Sequence, residues 1–493
     1  MMSHQTNLAP AAELPTGHRS AAIIEQHSID YVHRAERRGK VWHQGPFWFS
    51  GNFVLPTLVV GFTGPVMGLS LVWCILAVAL GAGFGTFFMA FHANQGPRMG
   101  LPQMIQSRAQ FGSRGSVVPF IATVFVYLGF LVFDTILATQ GILLVLPGEK
   151  WFWYPLVTAI AIVIAVVGHD LLHFIQRWLT YVLIATFAVL TVLALTTLGG
   201  TTDATAAAAA AAPGWDITAF LVQFSLAAGY NISYAVYVSD YSRYLPEDSS
   251  AKKLISWTYA GAAISAIWLM SLGAILASSI PNADAIGAIK QVGDNLFPGF
   301  GTFAVLISVI ALLSIMGVNA YGAMLTGVAA IDGFKPVRPT VRLRVMGLSV
   351  IGLIAVGIAL IIPDDYLASF NSFVLLMLYF LIPWTAVNLV DFYFVRHGKY
   401  AITEIFNPEG IYGRWAWRGI VSYVVGFVVM IPFFSTGFYT GPAAQALGGA
   451  DISFVPGLLA GGGLYLLLSR NIDHDAEAAA RRGSQLALEG TPE

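Results

Sequence analysis

The sequence predicts an all-α integral membrane protein with about twelve transmembrane helices. Three observations support this prediction: the amount of apolar sequence, its arrangement in long runs, and the placement of lysine and arginine between those runs. Of the 493 residues, 57% are hydrophobic and 10% are charged, whereas a soluble domain carries about 25% charged residues. Runs of about 20 apolar residues cross a bilayer as helices, because lipid cannot satisfy backbone polar groups.

Hydropathy and length assign twelve such runs, which are called spans one to twelve. They cover residues 46–68, 71–93, 116–146, 151–168, 177–198, 215–240, 255–279, 299–328, 343–362, 366–392, 416–439 and 453–470. Residues 1–45 then form an N-terminal segment and residues 471–493 a tail. An even number of spans places both segments on the same side of the membrane.

Lysine and arginine are concentrated on that side of the predicted bundle. Of the 25 basic residues, all but Lys150 and Lys290 fall in its loops and terminal segments. Cytoplasmic loops carry such an excess, so the sequence predicts a multi-pass protein of the inner (plasma) membrane with both termini cytoplasmic. The net charge of −1 gives no indication of a nucleic-acid partner.

Spans one and six are interrupted by residues that break helices. Span one contains Asn52, Pro56 and Pro65, and span six contains the stretch from Gly229 to Tyr234. Interruptions at these two positions are typical of inverted-repeat secondary transporters, whose broken helices offer polar groups to substrate and ion. Glycine and proline are also common in ordinary membrane helices, so either cluster alone decides nothing.

Asp134 has the strongest functional signal of any side chain in the sequence. It lies near the middle of span three, and no other acidic residue is placed so deep in a predicted span. A lone carboxylate in lipid is costly, so it marks a wet cavity, a partner or a substrate site. Asn319 and Ser314 in span eight are further candidates, although such residues also hold helices together.

Polar residues near the ends of spans are predicted to have gating or structural roles. Asn52, Asp240 and Arg243 are interpreted in this way, and the spacing of the last two allows them to pair on a helix surface. His92 lies at a helix end, which predicts a solvated role and no metal site. There is no phosphate loop, nucleophile elbow or zinc motif, so the sequence predicts neither an enzyme nor a resident cofactor.

Three segments resemble the nucleobase:cation symporter-1 family. Residues 96–112 (GPRMGLPQMIQSRAQFG) resemble the signature of an inner loop, and residues 240–246 (DYSRYLP) resemble a second signature. Residues 406–415 (FNPEGIYGRW) resemble the bacterial purine-cytosine permease branch. The resemblance extends over nearly all twelve spans.

This resemblance implies an architecture and an activity. The architecture has two inverted five-helix repeats, about 46–198 and 215–392, followed by two extra helices at about 416–470. The activity is cation symport of a nucleobase of the cytosine or purine type. Allantoin, hydantoin, thiamine or a cationic amine stay open as substrates, and so does a ligand sensor without transport. The expected partners are the small-molecule substrate and the lipid bilayer, and the oligomeric state is left open.

The resemblance also implies a substrate site. Members of the family usually stack the substrate ring on a tryptophan of span three, with an amide side chain one turn later. The matching positions are Phe130 and Asp134. An aromatic residue of span six should cover the other face of the ring, with Tyr234 the first choice and Tyr230 the second. The asparagine of span eight falls on Asn319, which would read the edge of the heterocycle.

Two departures from the family pattern affect what is bound. Phe130 still stacks on a heterocycle, but an ionised Asp134 accepts hydrogen bonds and cannot donate them. This suits a ring that presents N–H groups, or a cationic ligand. Sodium-coupled relatives use hydroxyls of span eight, where Ser314 matches one position but Leu313 occupies the next. A lost oxygen ligand weakens a sodium site, so we predict proton coupling through Asp134, with Na⁺ as the alternative.

Overall fold

The computed structural model describes residues 30–167, 169–200, 214–280, 283–335, 337 and 340–490. The outer parts of the two predicted terminal segments, 1–29 and 491–493, lie outside this description. The described chain is helical and forms no β-strand beyond an isolated bridge between Ser435 and Thr440.

Fourteen helices form the framework of the described chain. They are α1 (Gln44–Asn52), α2 (Leu55–Val60), α3 (Leu71–Ala93), α4 (Val117–Leu143), α5 (Lys150–Val167), α6 (His169–Gly200), α7 (Ile217–Ile232), α8 (Ala251–Ser279), α9 (Phe300–Asp332), α10 (Val341–Ile361), α11 (Leu367–Val390), α12 (Trp417–Met430), α13 (Phe454–Leu468) and α14 (His474–Glu489). Short helices at Thr63–Val66, Gln95–Met99, Gln103–Gln106, Arg108–Phe111, Val238–Ser242, Ala285–Gly293 and Pro442–Ala446 connect them.

The all-α membrane architecture is confirmed, and each predicted span coincides with helix. Eight of the described helices are long and apolar enough to cross a bilayer, and a bent pair in span one makes nine. Two apolar helices, Lys150–Val166 and Trp417–Phe433, are shorter, and α13 has only 15 residues. The count of twelve therefore stays a prediction.

Span one is broken at the position that its sequence indicates. The two halves, Val41–Asn52 and Leu55–Val66, meet at an angle of 69°. Between them Val54 is fully extended, with φ −137° and ψ 160°. Pro56 occupies the first turn of α2, where its missing N–H costs no hydrogen bond and its fixed φ favours a new helix.

The interruption of span six is milder than that of span one. The α-helix α7 ends at Ile232, and Ser233–Val236 continue as a 3₁₀ helix. Tyr237 leaves helical geometry with φ −141°, after which Val238–Ser242 form one more helical turn. The chain therefore tightens and then bends, and it does not open into an extended break.

Glycines bring the broken span against its neighbour α8. A Cβ atom on Gly61 would lie 1.9 Å from the carbonyl oxygen of Met270. A Cβ atom on Gly273 would lie 2.0 Å from the carbonyl oxygen of Leu58. Small residues allow helix backbones in a membrane to approach this closely, so the two glycines fix where the break of span one sits.

We expect Gly273→Ala to destabilise the protein, because the new methyl group overlaps the backbone of α2 and overpacking costs about 1–3 kcal/mol. The apparent melting temperature of the detergent-purified protein should fall by a few degrees. The control is Gly357→Ala in α10, where no atom lies within 4 Å of the added Cβ. Equal melting temperatures for the two variants would contradict the close approach of α2 and α8.

Candidate functional site

Asp134 and Asn319 meet where α4 packs against α9. The Asp134 side chain is buried, with 1% exposure, and its Oδ2 accepts a hydrogen bond of 3.2 Å from Nδ2 of Asn319. No other hydrogen bond or ion pair of this carboxylate is present among the described residues. The remaining lone pairs of Asp134 are therefore available to a ligand.

Two other carboxylates are as buried as Asp134, although neither lies near the middle of a predicted span. Asp391 and Asp451 are both 0% exposed. Their burial was not expected from the sequence, because both lie at the ends of spans, where hydropathy predicts contact with water. Burial alone therefore does not distinguish Asp134.

The hydrogen bonds of the three carboxylates do distinguish Asp134. Asp391 pairs with Arg396 and accepts from the hydroxyls of Tyr400 and Tyr465 at 2.7 and 2.8 Å. Asp451 accepts from the Tyr379 hydroxyl and from the backbone N–H groups of Ser435 and Ser453. These are satisfied structural groups, whereas Asp134 has one amide donor.

The predicted aromatic residues lie together beside Asp134. Phe130 is one helical turn before Asp134 and therefore on the same face of α4. Its ring contacts Tyr230 edge to face, with centroids 5.5 Å apart and planes at 87°. Tyr230 contacts Tyr234 in turn, with centroids 5.9 Å apart. The structure thus brings Phe130, Asp134, both tyrosines and Asn319 into one region.

Phe373 of α11 is a neighbour that sequence reasoning missed. Its ring lies edge-on to Phe130 at 5.5 Å and stacks on Phe133 at 5.4 Å. Phe130 is therefore held between Tyr230 and Phe373. A planar ligand between Phe130 and Tyr230 would have to separate two rings in contact. In the apolar sequence of α11, no feature distinguishes Phe373 from residues that only pack in the core.

Asn52 connects the break of span one to span six. Its Nδ2 donates to Asn231 Oδ1 at 2.9 Å and to the carbonyl of Ala262 at 3.0 Å. Its Oδ1 accepts from the Tyr234 hydroxyl at 3.1 Å. A second link joins the Thr57 hydroxyl to that of Tyr230 at 2.9 Å. Both tyrosines are therefore positioned from the broken helix.

Ser314, the candidate for cation coupling, lies on α9 and is buried. Its hydroxyl has no hydrogen-bond partner in the described part of the protein. A buried serine in a helix commonly bonds the carbonyl four residues earlier, and Ser314 does not. The hydroxyl is thus free for an ion or water, while Leu313 beside it offers no ligand atom.

Asp240 and Arg243 have structural contacts at the ends of spans. The carboxylate of Asp240 accepts a hydrogen bond of 2.7 Å from the backbone N–H of Gln103. The buried Arg243 donates to the carbonyl of Asp30 at 3.3 Å and to the Tyr244 hydroxyl at 3.2 Å. These contacts attach the loop after α3 and the start of the described chain to the end of span six.

The solvated role predicted for His92 is wrong. Its side chain is fully buried, and its ring stacks on Trp384 with centroids 4.6 Å apart and planes at 2°. One ring nitrogen lies 3.2 Å from the Gln103 amide and the other 3.4 Å from the Thr385 hydroxyl. Burial was hidden from the sequence because the loop after α3 folds back over the helix end.

A chain of amides continues from His92 to Asp391. Gln103 donates to Gln95 at 2.8 Å, and Gln95 donates to Asn388 at 2.6 Å. Asn388 donates to Gln110 at 3.3 Å, and Gln110 donates to Asp391 at 2.7 Å. This network fixes the loop after α3 against α11. Asn388 of α11 therefore serves to hold that loop through hydrogen bonds.

A bent first span among long apolar helices is typical of membrane transporters of the broken-helix class. The family model described as "Permease for cytosine/purines, uracil, thiamine, allantoin" matches residues 31–457. The chain belongs to this family, the nucleobase:cation symporters that its sequence resembles. Since the family consists of permeases, the protein is an integral membrane secondary transporter and not an enzyme.

Individual relatives are similar over most of their length. "Putative purine-cytosine permease YxlA" of Bacillus subtilis is 37% identical over 453 residues, covering 91% of this chain and 96% of that protein. The purine-cytosine permease fcyB of Emericella nidulans is 24% identical over 473 residues, covering 90% and 88%. The inward-facing structure of Mhp1 superimposes with a TM-score of 0.74 at 18% identity, covering 94% and 98%. That likeness shows the fold.

We expect Asn52→Ala to destabilise the break of span one. The change removes the hydrogen bonds of Asn52 to Asn231, Tyr234 and the carbonyl of Ala262. The Asn231 oxygen then keeps only a long bond of 3.3 Å from Thr86, and the Tyr234 hydroxyl keeps only one of 3.5 Å to Tyr230. Removing a partner from a buried polar group costs about 1–3 kcal/mol. Asn295→Ala is the control, because Asn295 is exposed and has one long hydrogen bond of 3.4 Å. Thermal unfolding in detergent should separate the two variants, and equal stability would remove Asn52 from its structural role.

Proposed function

We propose that this protein imports a nucleobase of the cytosine or purine type by symport with a proton. The observation that supports this most directly is the Asp134 carboxylate, which is buried beside aromatic rings and has a single hydrogen-bond donor. Substrate binds at Asp134, and rocking of one helix bundle against the other exposes the site to each side in turn.

Recognition of the base rests on aromatic and polar contacts together. Phe130 offers a ring face, and aromatic stacking contributes about 1–3 kcal/mol per base. Asp134 accepts hydrogen bonds from ring N–H groups, while the Asn319 amide both donates and accepts. An analogue without the matching group leaves buried polar atoms unpaired, which gives strong discrimination. Tyr234 covers the second face of the ring, since Tyr230 already contacts Phe130.

Coupling to a proton follows from the surroundings of Asp134. A buried ionised carboxylate without a cationic partner is costly, so the empty site favours uptake of a proton. The competing sodium site would use the Ser314 hydroxyl and carbonyls at the break of span one. Leu313 removes one oxygen ligand from that site, and a hard cation needs a full set of oxygen ligands. Proton coupling is therefore preferred over Na⁺ coupling.

The unpaired Asp134 also favours a second substrate class. No described lysine or arginine pairs with it, so a cationic amine or thiamine could act as its counter-ion. Neutral heterocycles such as allantoin and hydantoin also carry N–H groups that Asp134 can accept hydrogen bonds from. A ligand sensor would bind substrate without accumulating it. Competition by unlabelled compounds against labelled cytosine, followed by uptake into proteoliposomes, separates these alternatives.

We propose a plasma-membrane location with both termini in the cytoplasm. The excess of lysine and arginine on one side supports this orientation. Tyr31 donates a hydrogen bond of 2.8 Å to Glu489, so the first and last parts of the described chain lie on one face. This face is called the terminal face below.

We expect Asp134→Asn to abolish the dependence of uptake on a pH gradient. The amide has nearly the same shape but does not take up a proton at physiological pH. Purified protein in liposomes is tested with labelled cytosine under an inward proton gradient and, separately, an inward sodium gradient. Wild-type uptake should follow the proton gradient, and the variant should not respond to it.

Asp364→Asn is the control for this experiment, since that carboxylate is exposed and pairs with Lys150. It should retain wild-type coupling. Wild-type uptake that follows sodium and ignores pH would refute proton coupling and move the coupling ion to Ser314. An Asp134→Asn variant with unchanged kinetics and pH profile would remove Asp134 from the site.

We expect Phe130→Leu to weaken substrate binding by roughly one order of magnitude, since it keeps an apolar side chain but removes the ring face. Phe133→Leu is the control, because Phe133 lies in the same helix and packs on Phe370 and Phe373. Equilibrium binding of labelled base to the purified variants gives the dissociation constants. Equal affinities for both variants would show that Phe130 does not stack on the substrate.

A further inference from the structure

A cavity lies on the terminal face, lined by residues other than those of the candidate substrate site. Its volume is about 590 Å³, within the range of roughly 300–1,000 Å³ that is typical of small-molecule pockets. Five separate parts of the chain form its walls: the start of the described chain at Tyr31, the segment after α3 at Asn94, the segment after span six at Glu247, the turn after α11, and α14. This cavity is called the terminal cavity.

The walls of the terminal cavity carry an excess of positive charge. Four lysine and arginine side chains contribute to the lining, and two glutamates do. Both glutamates already have partners. Glu247 pairs with Arg34 at 2.5 Å, and Glu489 accepts from the Tyr31 hydroxyl at 2.8 Å. Burial raises the pKa of Tyr31 to about 12, so that hydroxyl keeps its proton at neutral pH and continues to donate.

The other three cations are Arg98, Lys399 and Arg481, and their side chains make no ion pair or hydrogen bond to any described residue. Buried arginines close to them have protein partners. Arg396 pairs with Asp391 and Glu477, and Arg37 donates to the carbonyls of Val32 and Pro97. The local fold thus gives these two buried arginines protein partners and leaves three cations around one cavity.

Each of the three cations comes from a different element. Arg98 belongs to the short helix Gln95–Met99, and Arg481 belongs to α14. Lys399 follows a turn in which His397 and Gly398 both have positive φ, 52° and 72°. A non-glycine residue in this conformation is uncommon, and here it turns the chain after the last helical turn, Asp391–Val395. Three elements thus converge on the cavity, each with an unpaired cation.

We propose that the terminal cavity binds a phosphate monoester dianion. Four cations and two carboxylates give the lining a formal charge of +2, with His397 counted as neutral, which a dianion balances. The guanidinium groups of Arg98 and Arg481 match phosphate oxygens in bidentate geometry, and Lys399 adds a compact ammonium group. Aromatic side chains, Phe392 and Tyr393, line the same cavity and accommodate an organic group attached to the phosphate.

Two sources supply this chemistry: a soluble phosphorylated metabolite such as a nucleoside monophosphate, and the headgroup of a phosphate-bearing lipid. In either case the ligand bridges α14 to the loop after α3 and to the turn after α11. The loop after α3 is the segment that the amide network fixes against α11. Occupancy of the terminal cavity therefore stabilises the present arrangement of the terminal face.

The test uses the full chain in nanodiscs of phosphatidylcholine and requires no transport substrate. Adenosine 5′-monophosphate and inorganic phosphate are titrated by calorimetry, with adenosine as the control ligand that lacks phosphate. A parallel set of nanodiscs contains phosphatidic acid, and native mass spectrometry counts the retained lipid. We expect saturable binding of the monophosphate, or retention of phosphatidic acid. Adenosine should not compete with either ligand for the cavity.

The variants Arg98→Gln, Lys399→Gln and Arg481→Gln each remove one cation. Each should weaken binding about tenfold or more, since a hydrogen bond to a charged group contributes at least that factor. Arg482→Gln is the matched control, because Arg482 is the next residue of α14, is exposed and does not line the cavity. It should bind as the wild type does, and thermal unfolding verifies that all four variants are folded.

The outcomes separate the two sources and decide the proposal. Binding of the monophosphate without lipid retention identifies a soluble ligand, and retention of phosphatidic acid alone identifies a lipid headgroup. The absence of both in the wild type overturns the proposal, as do lining variants that behave like Arg482→Gln. Because nothing is transported in these assays, the result is independent of the substrate and the coupling ion.

Discussion

A helix that is interrupted inside a bilayer must have its freed polar groups satisfied by protein, and the architecture of this transporter depends on how that is done. Asn52 stands at the break of span one and bonds both Asn231 and Tyr234 of span six. Gly61 and Gly273 allow the broken span to lie directly on α8. The break is therefore a rigid junction that positions the tyrosines next to Phe130.

The same requirement separates structural from functional polar groups. Asp391 and Asp451 are each surrounded by several donors, which accounts for their burial without reference to a ligand. Asp134 has one donor, and Ser314 has no partner among the described residues. Other buried hydroxyls also lack a partner, but Asp134 and Ser314 belong to the candidate site, and we propose that substrate or ion completes their hydrogen bonding. The unpaired cations of the terminal cavity are interpreted in the same way, as groups whose partner is a ligand.

Much of the framework could be predicted from the sequence, because a segment that crosses lipid as a helix must consist of about 20 mainly apolar residues. Helix positions, the break at Pro56 and the candidate status of Asp134 and Asn319 all follow from local residue types. The exposure of His92 was predicted wrongly, since its stack on Trp384 joins residues that are almost 300 positions apart. Phe373 was missed because an aromatic residue in an apolar helix carries no signal of which neighbour it touches.

The sequence by itself determined the class of protein, the positions of its helices and the family to which it belongs, since these depend on hydropathy, helix breakers and contiguous motifs. Only the tertiary structure decided which polar groups have partners. Hydrogen bonding between distant segments distinguishes Asp134 from Asp391, and the convergence of five segments creates the terminal cavity. Neither feature has a local signature, because both depend on where separate helices place their side chains after packing.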